Sequence, residues 1–189
     1  MKKIASLFLI IASVSGCRSL PEKGSSASST PAPAPSLSPA ENAATSRIKL
    51  TVVKVDSEET VGENGGGTNA VDGDVETIWH TQWQDASPEP PHEIIIRLSE
   101  PATLVGFTYL PRQDDSENGM IKDYEFYVSD DGKDFGQPIK KGVFSYTGKE
   151  KQTVKFEARK CQYIKLRALS EINGAAYTSA AEIGVIATD

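Results

Sequence analysis

The side chains that could carry out covalent or metal chemistry are few and badly spaced for it. Among 189 residues there are two histidines and two cysteines: His80, His92, Cys17 and Cys161. Two imidazoles are too few for most hydrolytic metal centres. No Ser-His-Asp grouping and no HExxH pair stands out. The stretch Gly62-Glu63-Asn64-Gly65-Gly66-Gly67-Thr68 is glycine-rich but lacks the Lys-Ser/Thr with which a P-loop holds phosphate. Hydrolysis of a glycoside needs two carboxylates set across a cleft, and the acids here are expected in turns and on outward strand positions. Cys161 lies in an apolar-alternating run and reads as a buried, unreactive thiol. What remains is recognition, and the chain reads as a non-enzyme.

Charge narrows the partners. The formal net charge is −6, so the chain as a whole offers no field to displace the counterions around phosphate, and nucleic acid is not an expected partner; bulk charge alone leaves a local basic patch open. The same balance argues against adsorption to anionic lipid.

The N-terminus reads as an address. Met1-Lys2-Lys3 is positive and 4–14 is apolar, too short to span a bilayer. The following Val14-Ser15-Gly16-Cys17 resembles a bacterial lipobox, which implies cleavage after residue 16 and acylation of Cys17. The alternative is an ordinary secretory signal with an incidental cysteine. Acyl chains anchor through buried methylenes at about 0.8 kcal/mol per CH₂. Residues 17–46 are rich in Ser, Pro and Ala. They carry too little apolar surface to offset their ordering entropy, and they read as a disordered tether. The expected location is the bacterial cell envelope, at the outer membrane or cell surface.

The elements that would position a site are strands. Period-two or β-branched runs occupy 48–55, 93–98, 103–110, 123–129, 152–156, 162–168 and 181–187. Turn signals separate them: Asp72-Gly73, Asn118-Gly119, Asp131-Gly132, Asn173-Gly174 and the triple Gly65-Gly66-Gly67, all places that tolerate positive φ. No helical period persists beyond a turn or two. This pattern predicts one all-β domain over 47–189, a sandwich or barrel. Its core is expected to take Ile78, Ile94, Ile96, Phe107, Phe126, Val128, Phe156, Ile164, Leu166 and Ile183.

Three stretches carry a resemblance: 70–83 (AVDGDVETIWHTQW), 106–114 (GFTYLPRQD), and 163–171 (YIKLRALSE) with Ala181-Glu182-Ile183. Together they resemble the coagulation factor five/eight type C, or discoidin, domain, and within it the family 32 carbohydrate-binding modules. The resemblance covers essentially all of 47–189 and implies an eight-stranded antiparallel jelly-roll β-sandwich, galactose-binding-domain-like.

It also implies two sites. A structural Ca²⁺ would be held by the Asp72 and Glu182 carboxylates, by Thr77, and by the Asn69 and Asp74 regions through backbone carbonyls. Hard oxygen donors of this kind suit calcium; the competing reading is a plain polar turn capped by Asp72. A terminal galactose-type sugar would be bound by Glu63, His80, Trp83, Arg112 and Asn118, with Tyr177 as a second wall. Sugar binding needs an aromatic face and a few fixed polar groups. Each residue has a simpler alternative. His80 could be a satisfied histidine, Arg112 a surface partner of Asp114 or Asp115, and Asn118 the start of a turn. Trp83 divides between core and platform, whereas Trp79 is assigned to the core. The acidic run Asp114, Asp115, Glu117 would disfavour anionic glycans and could add a cation site at the rim. The expected partners are a glycan, a membrane reached through Cys17, and a separate glycosidase or surface protein. The domain itself is expected to be monomeric. The alternative function is a protein-binding adhesin or assembly component on the same fold.

Overall fold

The structure, a computed structural model, describes residues 48–188. The expected signal, the acylation site Cys17 and the tether to residue 46 lie outside the described residues. Eight strands follow in order: β1 (Leu50–Val55), β2 (Trp79–His80), β3 (His92–Leu110), β4 (Asp123–Ser129), β5 (Lys140–Val143), β6 (Gln152–Ala168), β7 (Ser179–Ala180) and β8 (Glu182–Ala187). The larger sheet runs β1-β3-β6-β4-β5 with β8 also on β3, and β2 pairs β7 separately. Every named pairing is antiparallel. The expected all-β sandwich is the fold observed, with one 3-10 turn at Gly67–Val71.

Two pairs of expected strands are each one long strand. The runs at 93–98 and 103–110 are halves of β3, and those at 152–156 and 162–168 are halves of β6. The ladder between β3 and β6 breaks register between Arg97 and Ala102. Leu98-Ser99-Glu100-Pro101 fills that gap, and Pro101 has no amide hydrogen to give a ladder. The first half of β3 pairs with β1 and with the end of β6, and the second half pairs with β8 and with the start of β6. The two long strands thus bend from one layer into the other.

The layers meet through aromatic side chains. Phe107 of β3 stacks on Phe126 of β4 with centroids 4.1 Å apart and planes 1° apart. Phe144 lies 4.2 Å from Tyr124 and 4.9 Å from Tyr109, stacked on both. Ile94, Ile96, Ile164, Leu166 and Ile183 are buried around them, as their alternation predicts. Burying such a side chain contributes about 1.5–3 kcal/mol. Val128 and Phe156 are only half-buried, at the margin of that core. Ile78 is half-buried too; its neighbour Trp79 fills the core, and the indole Nε1 donates to Ser57 O at 2.9 Å. Cys161 is a buried free thiol whose pKa burial pushes up to about 12, so it is inert at neutral pH.

The glycines of the four Asx-Gly turns, Gly73, Gly119, Gly132 and Gly174, have positive φ. The triple glycine does not; it is there for close approach. A Cβ on Gly67 would lie 2.5 Å from Val55 Cγ1, and one on Gly65 would lie 3.0 Å from Glu59 O.

Candidate functional site

Loops supply the site and strands hold them. Glu63 sits between β1 and β2, His80 on β2, Trp83 just beyond it, Arg112 and Asn118 between β3 and β4, and Tyr177 before β7. These six side chains, with Ser116, line one cavity of about 290 Å³. Ser116 was not singled out in the sequence, since a serine in an acidic turn carries no signal of its own.

The His80 ring is buried, and its Nδ1 lies 2.7 Å from Thr81 O. A carbonyl can only accept, so Nδ1 carries the proton and Nε2 is left as an acceptor in the neutral ring. Burial pushes the His80 pKa below its ordinary 6.5, which keeps the ring neutral at neutral pH. Tyr177 packs against it with ring centroids 5.6 Å apart. Trp83 is 41% exposed, so it is a wall of the cavity and not core. Its Nε1 donates to Glu63 Oε1 at 2.9 Å, fixing the indole and the carboxylate together. Gly62 makes room for the ring: a Cβ there would fall 2.5 Å from Trp83 Cη2.

Arg112 is buried to 7% exposure and forms both the contact that made it suspect and the cavity wall. Its Nε and Nη2 donate to the two Asp114 oxygens at 2.6 and 2.5 Å, and Nη1 donates to Asn118 O at 3.0 Å. Asn118 likewise begins a turn at Gly119 and lines the cavity.

Two buried groups position these walls, and both escaped the sequence reading. Glu59 is fully covered, against the expectation that the acids lie outward. Glu125 and Glu171 are buried as well. Glu59 Oε1 accepts from the Val61 and Gly62 amides, both at 2.8 Å. Its Oε2 accepts from Trp83 at 2.8 Å and Gln84 at 2.7 Å. One carboxylate therefore ties the loop of Glu63 to the loop of Trp83. The Gln84, Gly62 and Trp83 amides hold its carboxyl down at about 2.

His92 is the second. Its Nδ1 meets Asp56 Oδ2 at 2.8 Å, and its Nε2 meets Pro88 O at 3.1 Å and Ala176 O at 2.9 Å. Burial opposes charge on this ring, but the Asp56 carboxylate and the two carbonyls outweigh it and raise its pKa. With acceptors at both nitrogens, the imidazolium pins residue 176, next to Tyr177.

The expected cation ligands gather elsewhere. Asp72 Oδ2 accepts from Thr77 Oγ1 at 2.8 Å, and Thr77 Oγ1 also lies 3.0 Å from Asp74 O. Glu182 Oε1 accepts from Gly73 N at 2.7 Å. Burial pushes the Glu182 carboxyl up, and the Asp72 carboxylate beside it adds to the shift. Two adjacent carboxylates, a hydroxyl and a carbonyl are a donor set that fits a hard cation. The Asn69 side chain is engaged otherwise, donating to Asn64 O at 2.7 Å and Ile78 O at 2.9 Å. Among the described residues no group of three or more His, Cys, Asp or Glu side chains forms a cage, at the rim or elsewhere.

Comparison with known proteins follows the same outline. The F5/8 type C domain model matches residues 53–183. The chain is 40% identical over 140 residues to a sialidase of Micromonospora viridifaciens, covering 74% of this chain and 21% of that one. It is 38% identical over 117 residues to a galactose oxidase of Gibberella zeae, covering 61% and 17%. It thus spans only a minor part of these curated relatives. Among solved structures, CpGH89CBM32-5 from Clostridium perfringens, in complex with GalNAc-β-1,3-galactose, is 36% identical with a TM-score of 0.64, over 76% of this chain and 97% of that one. The family 32 CBM from C. perfringens NanJ, in complex with galactose, is 25% identical with a TM-score of 0.62, over 72% and 93%.

Proposed function

Because the chain belongs to the F5/8 type C domain family, we propose that it is a non-catalytic carbohydrate-binding module. In this reading the cavity at Glu63, His80, Trp83, Arg112, Asn118 and Tyr177 holds a terminal galactose-type sugar of a glycan. The convergence of these side chains on one cavity of about 290 Å³ is the observation that carries the reading. The indole of Trp83 takes the apolar face of the pyranose. His80 Nε2 accepts from one hydroxyl, Glu63 accepts from another, and the free N–H groups of Arg112 donate to ring substituents. The two solved relatives bound to galactose-containing ligands support this choice of sugar.

The rest of the molecule serves presentation. An acyl anchor at Cys17 and the tether after it would hold the domain away from the bacterial envelope, where it retains glycans alone or beside a separate glycosidase. Calcium at Asp72, Asp74, Thr77, Glu182 and the Asn69 region would brace the loop that leads into β2; its role is structural.

A glycan array probed with the full chain in calcium tests the reading. Binding to terminal galactose or N-acetylgalactosamine, lost in Arg112→Ala, is the expected result. Truncating a charged hydrogen-bonding partner removes about 1.5–3 kcal/mol, roughly ten- to a hundredfold in affinity. A folded chain that binds no glycan contradicts it and moves the reading to protein adhesion.

A further inference from the structure

The Arg112 guanidinium is shared between two sides. Asp114 engages Nε and one hydrogen of Nη2, and Asn118 O engages one hydrogen of Nη1. A guanidinium has five N–H groups, so two remain, one on each terminal nitrogen. Arg112 lines the cavity beside His80, whereas Asp114 lines a separate cavity with Glu63, Glu76 and Gln113. Glu63 lines both cavities, so they adjoin, and Asp114 holds Arg112 without itself lining the first.

The hold is built in. Ser116 N donates to Asp114 Oδ1 at 3.3 Å, and Lys149 Nζ donates to the carbonyls of Asp114 and, at 2.6 Å, of Ser116. Gln113 Nε2 closes the loop onto Pro111 O at 2.7 Å and Lys149 O at 3.0 Å. The hydrogen bond from Arg112 holds the Asp114 carboxyl below its usual range, so it is ionised at neutral pH.

We propose that Asp114 is the specificity-determining residue of the site: by clamping Arg112 it cancels the cation and restricts the cavity to neutral sugars. The inference rests on the carbohydrate-binding reading above. A bare arginine facing the cavity would pair with a sugar carboxylate in a charge-assisted fork. Here Asp114 occupies the Nε and Nη2 edge and pairs the positive charge, and Glu63 adds a second negative charge at the wall. With His80 neutral, a uronate or sialate carboxylate would meet two anions and one cation already paired. Two adjacent hydroxyl oxygens meet only the two free N–H groups, which can donate one bond to each.

The test titrates galactose and galacturonic acid into the full chain and its Asp114→Asn and Asp114→Ser variants at low ionic strength, with thermal melting to confirm folding. The wild type should prefer galactose by about tenfold or more, the scale of one unscreened like charge at a partly exposed site. Asp114→Asn should bring the ratio close to one by gaining galacturonic acid roughly tenfold over the wild type. Added salt should erase that gain. A wild type that binds both sugars alike overturns the inference. So does a folded pair of variants that lose galactose without gaining galacturonic acid, which would make Asp114 a positioning residue alone. A wild type that binds neither sugar contradicts the underlying reading, and the inference falls with it.

Discussion

Glu59 shows how much one buried residue can determine. Four backbone amides point at a single carboxylate, and they belong to the two loops that carry Glu63 and Trp83. Its carboxyl sits at about 2, below the ordinary 4.5. The folded state thus binds its proton less readily than the unfolded chain. The stability this contributes is present above pH 4.5 and is lost as pH falls from there toward 2. Glu59→Gln should remove that acid-limb dependence. Its amide NH₂ would face two backbone N–H donors, so the loops should also separate at neutral pH and galactose affinity should fall. Melting curves across pH, beside sugar titration, check both. An unchanged acid limb in Glu59→Gln would show that the carboxylate does not hold the loops. No feature of the sequence marks Glu59, since an acid in a polar turn looks the same whether solvated or buried. His92 is hidden in the same way: one histidine at a strand start gives no sign that Asp56, Pro88 and Ala176 meet it. The residue types at the cavity were legible because aromatic, imidazole and guanidinium groups are scarce and fall in the family's order.

At the scale of elements, alternation placed β1, β3, β4, β6 and β8, whereas the two-residue β2 and β7 and the polar, four-residue β5 are too short or too little alternating to show. Alternation could not show that β3 and β6 run on through their bends. A Ser-Glu-Pro break looks like a turn in sequence, yet here it is a register shift within one strand. The loop from Asp72 to Thr77 is the element that the calcium proposal concerns. It is closed onto β8 by Gly73 N and Glu182, with the Asp72 carboxylate crowding Glu182. Like charges in contact at a partly buried site are costly unless a cation joins them. Chelation of calcium should therefore lower the melting temperature by roughly 5–10 °C, the shift expected when a ligand held near a hundred times its Kd is withdrawn. Glu182→Gln should relieve the repulsion and make melting insensitive to the chelator. A melting temperature that ignores chelator in the wild type would return this loop to a plain polar turn.

The described domain is an aromatic-cored sandwich whose candidate binding residues lie mostly on loops, which is where binding residues concentrate on such scaffolds. The net charge of −6 and the clamped Arg112 act in one direction, both disfavouring anionic ligands. If the carbohydrate-binding proposal holds, copies displayed on one surface would bind by avidity. That makes the single-site contact the quantity to measure.

The two tryptophans allow it to be read directly. Trp79 is core, with its Nε1 on Ser57 O, and Trp83 is the cavity wall, with its Nε1 on Glu63. Titration of N-acetylgalactosamine into the ¹⁵N-labelled full chain should move the Trp83 indole resonance progressively, together with the amides around His80 and Asn118, while the Trp79 indole stays in place. Saturable binding with an unmoved Trp83 indole, or shifts confined to another face of the sandwich, would contradict the account.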